Sequence, residues 1–180
     1  MQQMLANLRA RREDERGFTL IELMVVVLII AILIAIAIPT FLGAKTRAQD
    51  KAAQSSLRNG LTNAKGIYTD SDTYGATAAL QASLTTAEPS LTFQTTVSQN
   101  AKQVSVAAAG VGVTPSWVVM TALSAGGTCY AVGDWSTGGT FFAKISGTCT
   151  AANAATSAGS AVPTAPATSA TANNTWSSAW

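Results

Sequence analysis

Every residue from Leu23 to Ile38 is apolar, and only Thr19 and Glu22 interrupt the run back to Phe18. A stretch this long without a polar face predicts a helix surrounded by lipid or by other helices, long enough to cross a bilayer. Pro39 ends the run, and its missing N–H and its clash one turn back predict a kink or local unwinding around Ala35 to Pro39. Helix formers resume through Lys65, with Gly60 and Gly66 weakening the far end. At 100° per residue, Leu42, Ala53, Leu57, Leu61, Ala64, Ile67 and Tyr68 share one arc, the face a sheet would cover. Arg47, Lys51, Arg58 and Lys65 form a basic stripe beside that arc, with Asp50 nearby.

Periodicity fades over Tyr68 to Ser90, where Gly75, Pro89 and many Thr and Ser residues predict a connecting region. Short β-prone stretches follow at Leu91–Val97, Gln103–Ala108, Trp117–Thr121, Cys129–Trp135 and Thr140–Ile145, with Gly138-Gly139 as a hairpin turn between the last two. The pattern predicts an α+β fold: a long N-terminal helix, hydrophobic in its first half and amphipathic in its second, packed on a small antiparallel sheet head. Residues 150–180 carry no charge and are rich in Ala, Ser and Thr, a low-complexity tail without the composition for a second core. A mostly disordered tail is expected, with Trp176 and Trp180 as candidate anchors that would dock its end on the head or on a neighbour. The tail's hydroxyls and the Asn173-Asn174-Thr175 pattern are candidate sugar sites.

Glu22 is the chemically distinctive residue, because an ionised acid in a membrane helix is costly unless a partner neutralises it. Cutting the chain between Gly17 and Phe18 would create an α-amine one helical turn from Glu22. That amine could pair with Glu22 of its own chain or of a neighbour. Gly17-Phe18-Thr19-Leu20-Ile21-Glu22, a charged leader before it, the apolar helix after it and Pro39 near its end together resemble the N-terminus of a type IV prepilin. The close match covers Arg16 to Lys65, and the run Phe41 to Asp50 is similar to pilins of Gram-positive bacteria. The resemblance implies cleavage after Gly17 by a membrane prepilin peptidase, N-methylation of Phe18, and assembly through Phe18 and Glu22 into a helical homopolymer. It also implies a helix that loosens near Pro39 on assembly. The expected organisation is a cytoplasmic leader (1–17), a transmembrane and filament-core helix (18–38), its amphipathic continuation (39–67), a connecting loop and sheet head (68–149) and the tail (150–180).

Two plainer readings compete. Arg9, Arg11 and Arg12 ahead of an apolar run, with Ala35-Ile36-Ala37 as a cleavage site, also describe a secretory signal peptide, but its apolar region is shorter and requires neither Gly-Phe nor Glu22. An uncut membrane anchor explains the length and leaves Glu22 unpaired. The chain has 180 residues, 48% hydrophobic and 11% charged, in the range of one modest domain on a membrane helix. Its net charge of +2 implies no strong electrostatic partner. Basic residues before the apolar run favour a cytoplasmic leader and an exported remainder, although Lys45, Arg47 and Lys51 weaken the bias.

Cys129 and Cys149 suit an oxidising, exported location and a disulfide of roughly 3 kcal/mol on the chain-entropy model. With no His and no further Cys, neither a metal site nor a cofactor is expected. Asp70 to Gly75 has part of a calcium-loop spacing, but Tyr74 and Gln81 stand where oxygen ligands belong, so an ordinary turn is expected. No Ser, Cys or carboxylate sits in a nucleophile motif, and no enzymatic activity is expected. The resemblance implies a structural pilus subunit, a major pilin, held in the cytoplasmic membrane before the pilus machinery assembles it and extracellular afterwards. A pseudopilin of a type II secretion-like system shares these N-terminal features. A DNA-binding competence pilin rests on the stripe of Arg47, Lys51, Arg58 and Lys65 alone, against the plainer reading of a solvated flank.

Overall fold

The computed structural model describes residues 17–109, 116–157 and 176–180. The expected leader, apart from Gly17, lies outside the described residues, as do residues 158–175 of the tail with the Asn173 pattern. The chain divides into two compact units, one ending at Ala44 and one beginning at Lys45.

Helix α1 spans Leu20–Ser71 and carries Pro39 inside it. It is helical throughout, so the unwinding expected at Ala35 to Pro39 is absent from the single chain. Proline removes one backbone donor, while the Thr40 hydroxyl donates to the carbonyl of Ala37 at 2.8 Å and more weakly to that of Ile36. In the first unit the apolar side chains are bare: Leu20 is 77% and Ile30 48% exposed. Leu42, assigned by projection to the sheet-covered face, is 61% exposed. The covered stretch begins only at Ala53.

In the second unit Ala53, Leu57, Leu61 and Ala64 are buried at the helical spacing expected, with Ile67 and Tyr68 packed against the same core. Gly60 lets the helix approach: a Cβ there would lie 3.1 Å from Met120 Sδ and 3.2 Å from Phe93 Cε1. The helix ends beyond Gly66, at Ser71, with Asp72 in the left-handed conformation (φ 54°) and its N–H donating to the Tyr68 carbonyl. The stretch read as a connection contains a further helix, α2 (Thr77–Ala87), which buries Leu80 and Leu84 one turn apart.

Strands β1 (Thr92–Gln94), β2 (Gln103–Ala109), β3 (Trp117–Leu123), β4 (Cys129–Trp135) and β5 (Gly139–Ile145) form one sheet in sequence order. The β2 to β5 pairs are antiparallel. The first strand is shorter than Leu91–Val97 and pairs parallel with β2, through Phe93 opposite Val104. Its return loop is held by buried Ser98, whose N–H donates to the Cys149 carbonyl and whose hydroxyl accepts the Leu123 N–H. Alternation along the strands separates two faces. Val104, Val106, Val118, Met120, Tyr130 and Val132 meet α1. Val119, Ala131, Trp135, Ala143 and Ile145 face the other way, covered by Trp176 and by α3 (Ala151–Ser157), a short helix not foreseen in the tail.

Candidate functional site

The first candidate site is the start of α1. Thr19 precedes the first helical residue, and its carbonyl accepts the first intrahelical bond, from Leu23 N–H at 3.3 Å. The Thr19 hydroxyl oxygen accepts the Glu22 N–H at 3.3 Å, while the Glu22 carboxylate accepts the Thr19 N–H at 2.8 Å and the Thr19 hydroxyl at 2.7 Å. This reciprocal pair is a capping box, which satisfies two helix-end donors that otherwise need water. Sequence reading of Glu22 as a partner for an amine missed it, although Thr19-x-x-Glu22 before an apolar run is its signature. The cap turns the carboxylate back toward the residues that precede the helix, where negative charge also suits the helix dipole.

Phe18 is 87% exposed beside this cap. Phe18, Ile21, Val25 and Val26 line one shallow apolar groove with Glu22 at its polar end, and Leu20, Leu23, Met24, Val27, Leu28 and Ala31 line another. Mean hydropathy over the most apolar part of the helix reaches 3.3, with no side chain of the window buried within the chain. Such a surface is stable only against lipid or against other apolar helices.

The basic stripe is the second candidate. Arg47, Lys51, Arg58 and Lys65 are all exposed on α1, but the stripe is not a row of equivalent cations. Lys65 Nζ lies 2.8 Å from Asp134 Oδ1 and donates to the Thr140 hydroxyl at 2.7 Å. Arg58 stands over the Phe142 ring at 6.0 Å, and Lys51 donates to the Gln54 side chain at 3.2 Å. Asp50 accepts the Ser124 hydroxyl at 2.6 Å. Asp50 and Lys65 thus fasten α1 to the sheet at two points, one near β3 and one on β4.

Asp134 is the node of the second fastening. Nearly buried, it accepts hydrogen bonds from Tyr74 and Thr140 as well as pairing with Lys65. Burial, and then the Asp134 carboxylate, push the Tyr74 hydroxyl well above the ordinary tyrosine range. Burial and the Asp50 carboxylate raise Tyr130 in the same direction. Within Asp70 to Gly75, Tyr74 therefore points into the core, and Ser116 Oγ accepts its N–H at 2.9 Å. The sixth residue, Gly75, adopts a positive φ of 69° that closes the turn.

Cys129 and Cys149 form a disulfide with Cα atoms 5.5 Å apart, joining the start of β4 to the chain just ahead of α3. Thr150 caps α3, its hydroxyl oxygen accepting the Asn153 N–H at 3.1 Å.

Comparison with known families finds the prokaryotic N-terminal methylation motif at residues 13–38, the segment that contains Gly17, Phe18 and Glu22. That motif is the class III signal of type IV prepilins; it implies processing by a prepilin peptidase and polymerisation, and the chain is type IV pilin-like in this respect. No curated protein and no solved structure matches the chain.

Proposed function

We propose that this type IV pilin-like chain is a filament subunit, the major pilin of a type IV pilus, cleaved between Gly17 and Phe18 and methylated on the new amine. The observation that carries the reading is the bare apolar surface of α1 with a single carboxylate at its start. In the bilayer, lipid covers Phe18 to Ile38; in a filament, neighbouring helices take its place, so transfer between the two exchanges one apolar environment for another. Glu22 sets register, because a subunit placed wrongly leaves an ionised carboxylate in an apolar core. Its cap by Thr19 holds the carboxylate where the Phe18 amine of the same or the next subunit can reach it, and N-methylation leaves that amine able to protonate.

The basic stripe favours structure over nucleic acid. Lys65 is matched by Asp134 and Arg58 is drawn over Phe142, so the charges that motivate a DNA-binding competence pilin are partly used within the head.

The capping box makes the deciding experiment sharp, because glutamine preserves it and alanine does not. Both Glu22→Gln and Glu22→Ala are expected to insert and to be cleaved at Gly17, as read by intact mass. Filament yield, read by electron microscopy of sheared surface material, is expected to fall about tenfold or more in both. Normal assembly of Glu22→Gln would show that Glu22 serves only as a cap, and the charge-pairing mechanism would be withdrawn. Long surface filaments in the parent strain support a pilus subunit over a type II secretion-like pseudopilin.

A further inference from the structure

Strand β5 is one of the two edge strands of the sheet, and the segment 176–180 pairs with it through Ser177. Ser177 pairs antiparallel with Phe142: Phe142 N–H donates to the Ser177 carbonyl at 2.7 Å, and Ser177 N–H donates to the Phe142 carbonyl at 2.8 Å. The two flanking tryptophans go to opposite faces. Trp176 packs edge-on against Trp135, ring centroids 5.6 Å apart, on the face covered by α3. Trp180 packs against Tyr130 at 5.1 Å and Phe142 at 4.9 Å, on the face that meets α1. Gly133 belongs to the Trp176 seat, since a Cβ there would collide with the Trp135 ring and lie 3.2 Å from that of Trp176.

The seat has the parts of a peptide-binding site: a strand edge that supplies main-chain hydrogen bonds and two aromatic pockets that recognise side chains. The indole N–H groups of Trp176 and Trp180 are buried without a hydrogen-bond partner, so the main-chain pair at Ser177 supplies the occupant's polar hold beside the packing of the rings. Residues 158–175 lead to it from α3. Fully extended, that length of chain spans roughly 60 Å at ~3.3–3.6 Å per residue. A head of this size is about 35 Å across. The same segment can therefore reach the seat of a neighbouring copy.

We propose that the β5 edge is a strand-addition site whose second occupant is the Trp176–Trp180 segment of another copy, so that heads exchange straps. The tethered strap competes at an effective concentration on the order of millimolar, so the in-chain arrangement wins in dilute solution. Exchange takes over where copies are crowded to a similar concentration. The proposal stands independently of Glu22 and of the apolar helix.

The test uses the full chain in mild detergent, with a photo-crosslinking residue replacing Ser178, mixed as equal parts isotopically heavy and light protein. Cross-linked peptide pairs between residues 176–180 and β5 are read by mass spectrometry from micromolar to near-millimolar protein. Heavy–light pairs are expected to rise at least about tenfold over that range. They are expected to disappear in Ser177→Pro, which removes the N–H that Phe142 accepts while leaving both rings. Circular dichroism and an intact Cys129–Cys149 bridge check that this variant stays folded; the Trp176→Ala, Trp180→Ala double variant gives a second route if it does not. Only heavy–heavy and light–light pairs at every concentration, or heavy–light pairs that survive both variants, would overturn the proposal.

Discussion

The Lys65 ammonium lies 2.8 Å from the Asp134 carboxylate, linking the amphipathic half of α1 to β4. The two partners are unequal: Lys65 is 48% exposed and Asp134 9%, so water can replace the carboxylate around Lys65 more easily than the reverse. Asp134 also holds Tyr74 and Thr140. Asp134→Ala is therefore expected to lower head stability by about 2–3 kcal/mol, through a buried tyrosine hydroxyl left without its acceptor and the lost pair. Lys65→Met leaves the buried carboxylate without its cation, but Tyr74 and Thr140 still donate to it, so a smaller loss of about 1–2 kcal/mol is expected. Denaturant unfolding followed by near-ultraviolet circular dichroism measures both. Equal losses would mean that the cation, not the buried carboxylate, organises the node.

Tyr74 gives the node a pH signature. Its folded pKa is raised, so above the ordinary tyrosine value the unfolded chain loses its proton while the folded chain keeps it. The stabilisation is complete below about pH 10 and declines as pH rises above it. Melting temperature is expected to be flat up to that point as far as Tyr74 is concerned, and then to fall. Tyr74→Phe, though less stable at neutral pH, is expected to fall less steeply in the same range. Parallel alkaline curves for the two proteins would remove Tyr74 as the cause.

Two glycines in α1 are expected to respond oppositely to alanine. A Cβ at Gly66 meets nothing within 4 Å, so Gly66→Ala is expected to stabilise the helix by about 0.5–1 kcal/mol. At Gly60 the same gain is offset by contacts at 3.1 Å to Met120 and 3.2 Å to Phe93, and Gly60→Ala is expected to be near neutral. Gly60→Val is expected to lose about 1–3 kcal/mol by overpacking. Thermal melts of the three variants decide it.

Those glycines show where sequence reading succeeded and where it stopped. The 3.6-residue period correctly placed Ala53, Leu57, Leu61 and Ala64 inside, because burial on one helix face leaves that imprint. The same projection cannot say where the covering sheet begins, and so it counted Leu42 as covered. Gly60 read as a weak helix former, since close approach to Met120 is a tertiary fact. Helix α2 was hidden because Leu80 and Leu84 are its only large apolar side chains, set among Thr, Ser and Ala. The parallel pairing of β1 depends on a loop organised by Ser98, whose partners Cys149 and Leu123 are distant in sequence. The two tail tryptophans were legible as anchors, whereas their division between the two sheet faces was not.

The Cys129–Cys149 bridge closes a segment of sequence separation 20 that contains all of β5 and its hairpin. Cys129 pairs with Ile145 across β4 and β5, so the bridge holds the chain directly after β5 back against the start of β4. It also positions Thr150 and α3 over Val119 and Ala131. Reduction is expected to lower head stability by about 3 kcal/mol on the chain-entropy model. If the bridge acts only by restricting the unfolded chain, hydrogen exchange in β4, β5 and α3 rises together with that of β2 and β3. If it also holds α3 in place, the amides of Ala151 to Ser157 exchange first, at reductant concentrations that leave β2 and β3 protected. The second pattern is expected, because α3 has only seven residues, too few to persist without its anchors. A uniform rise would assign the bridge a purely entropic role.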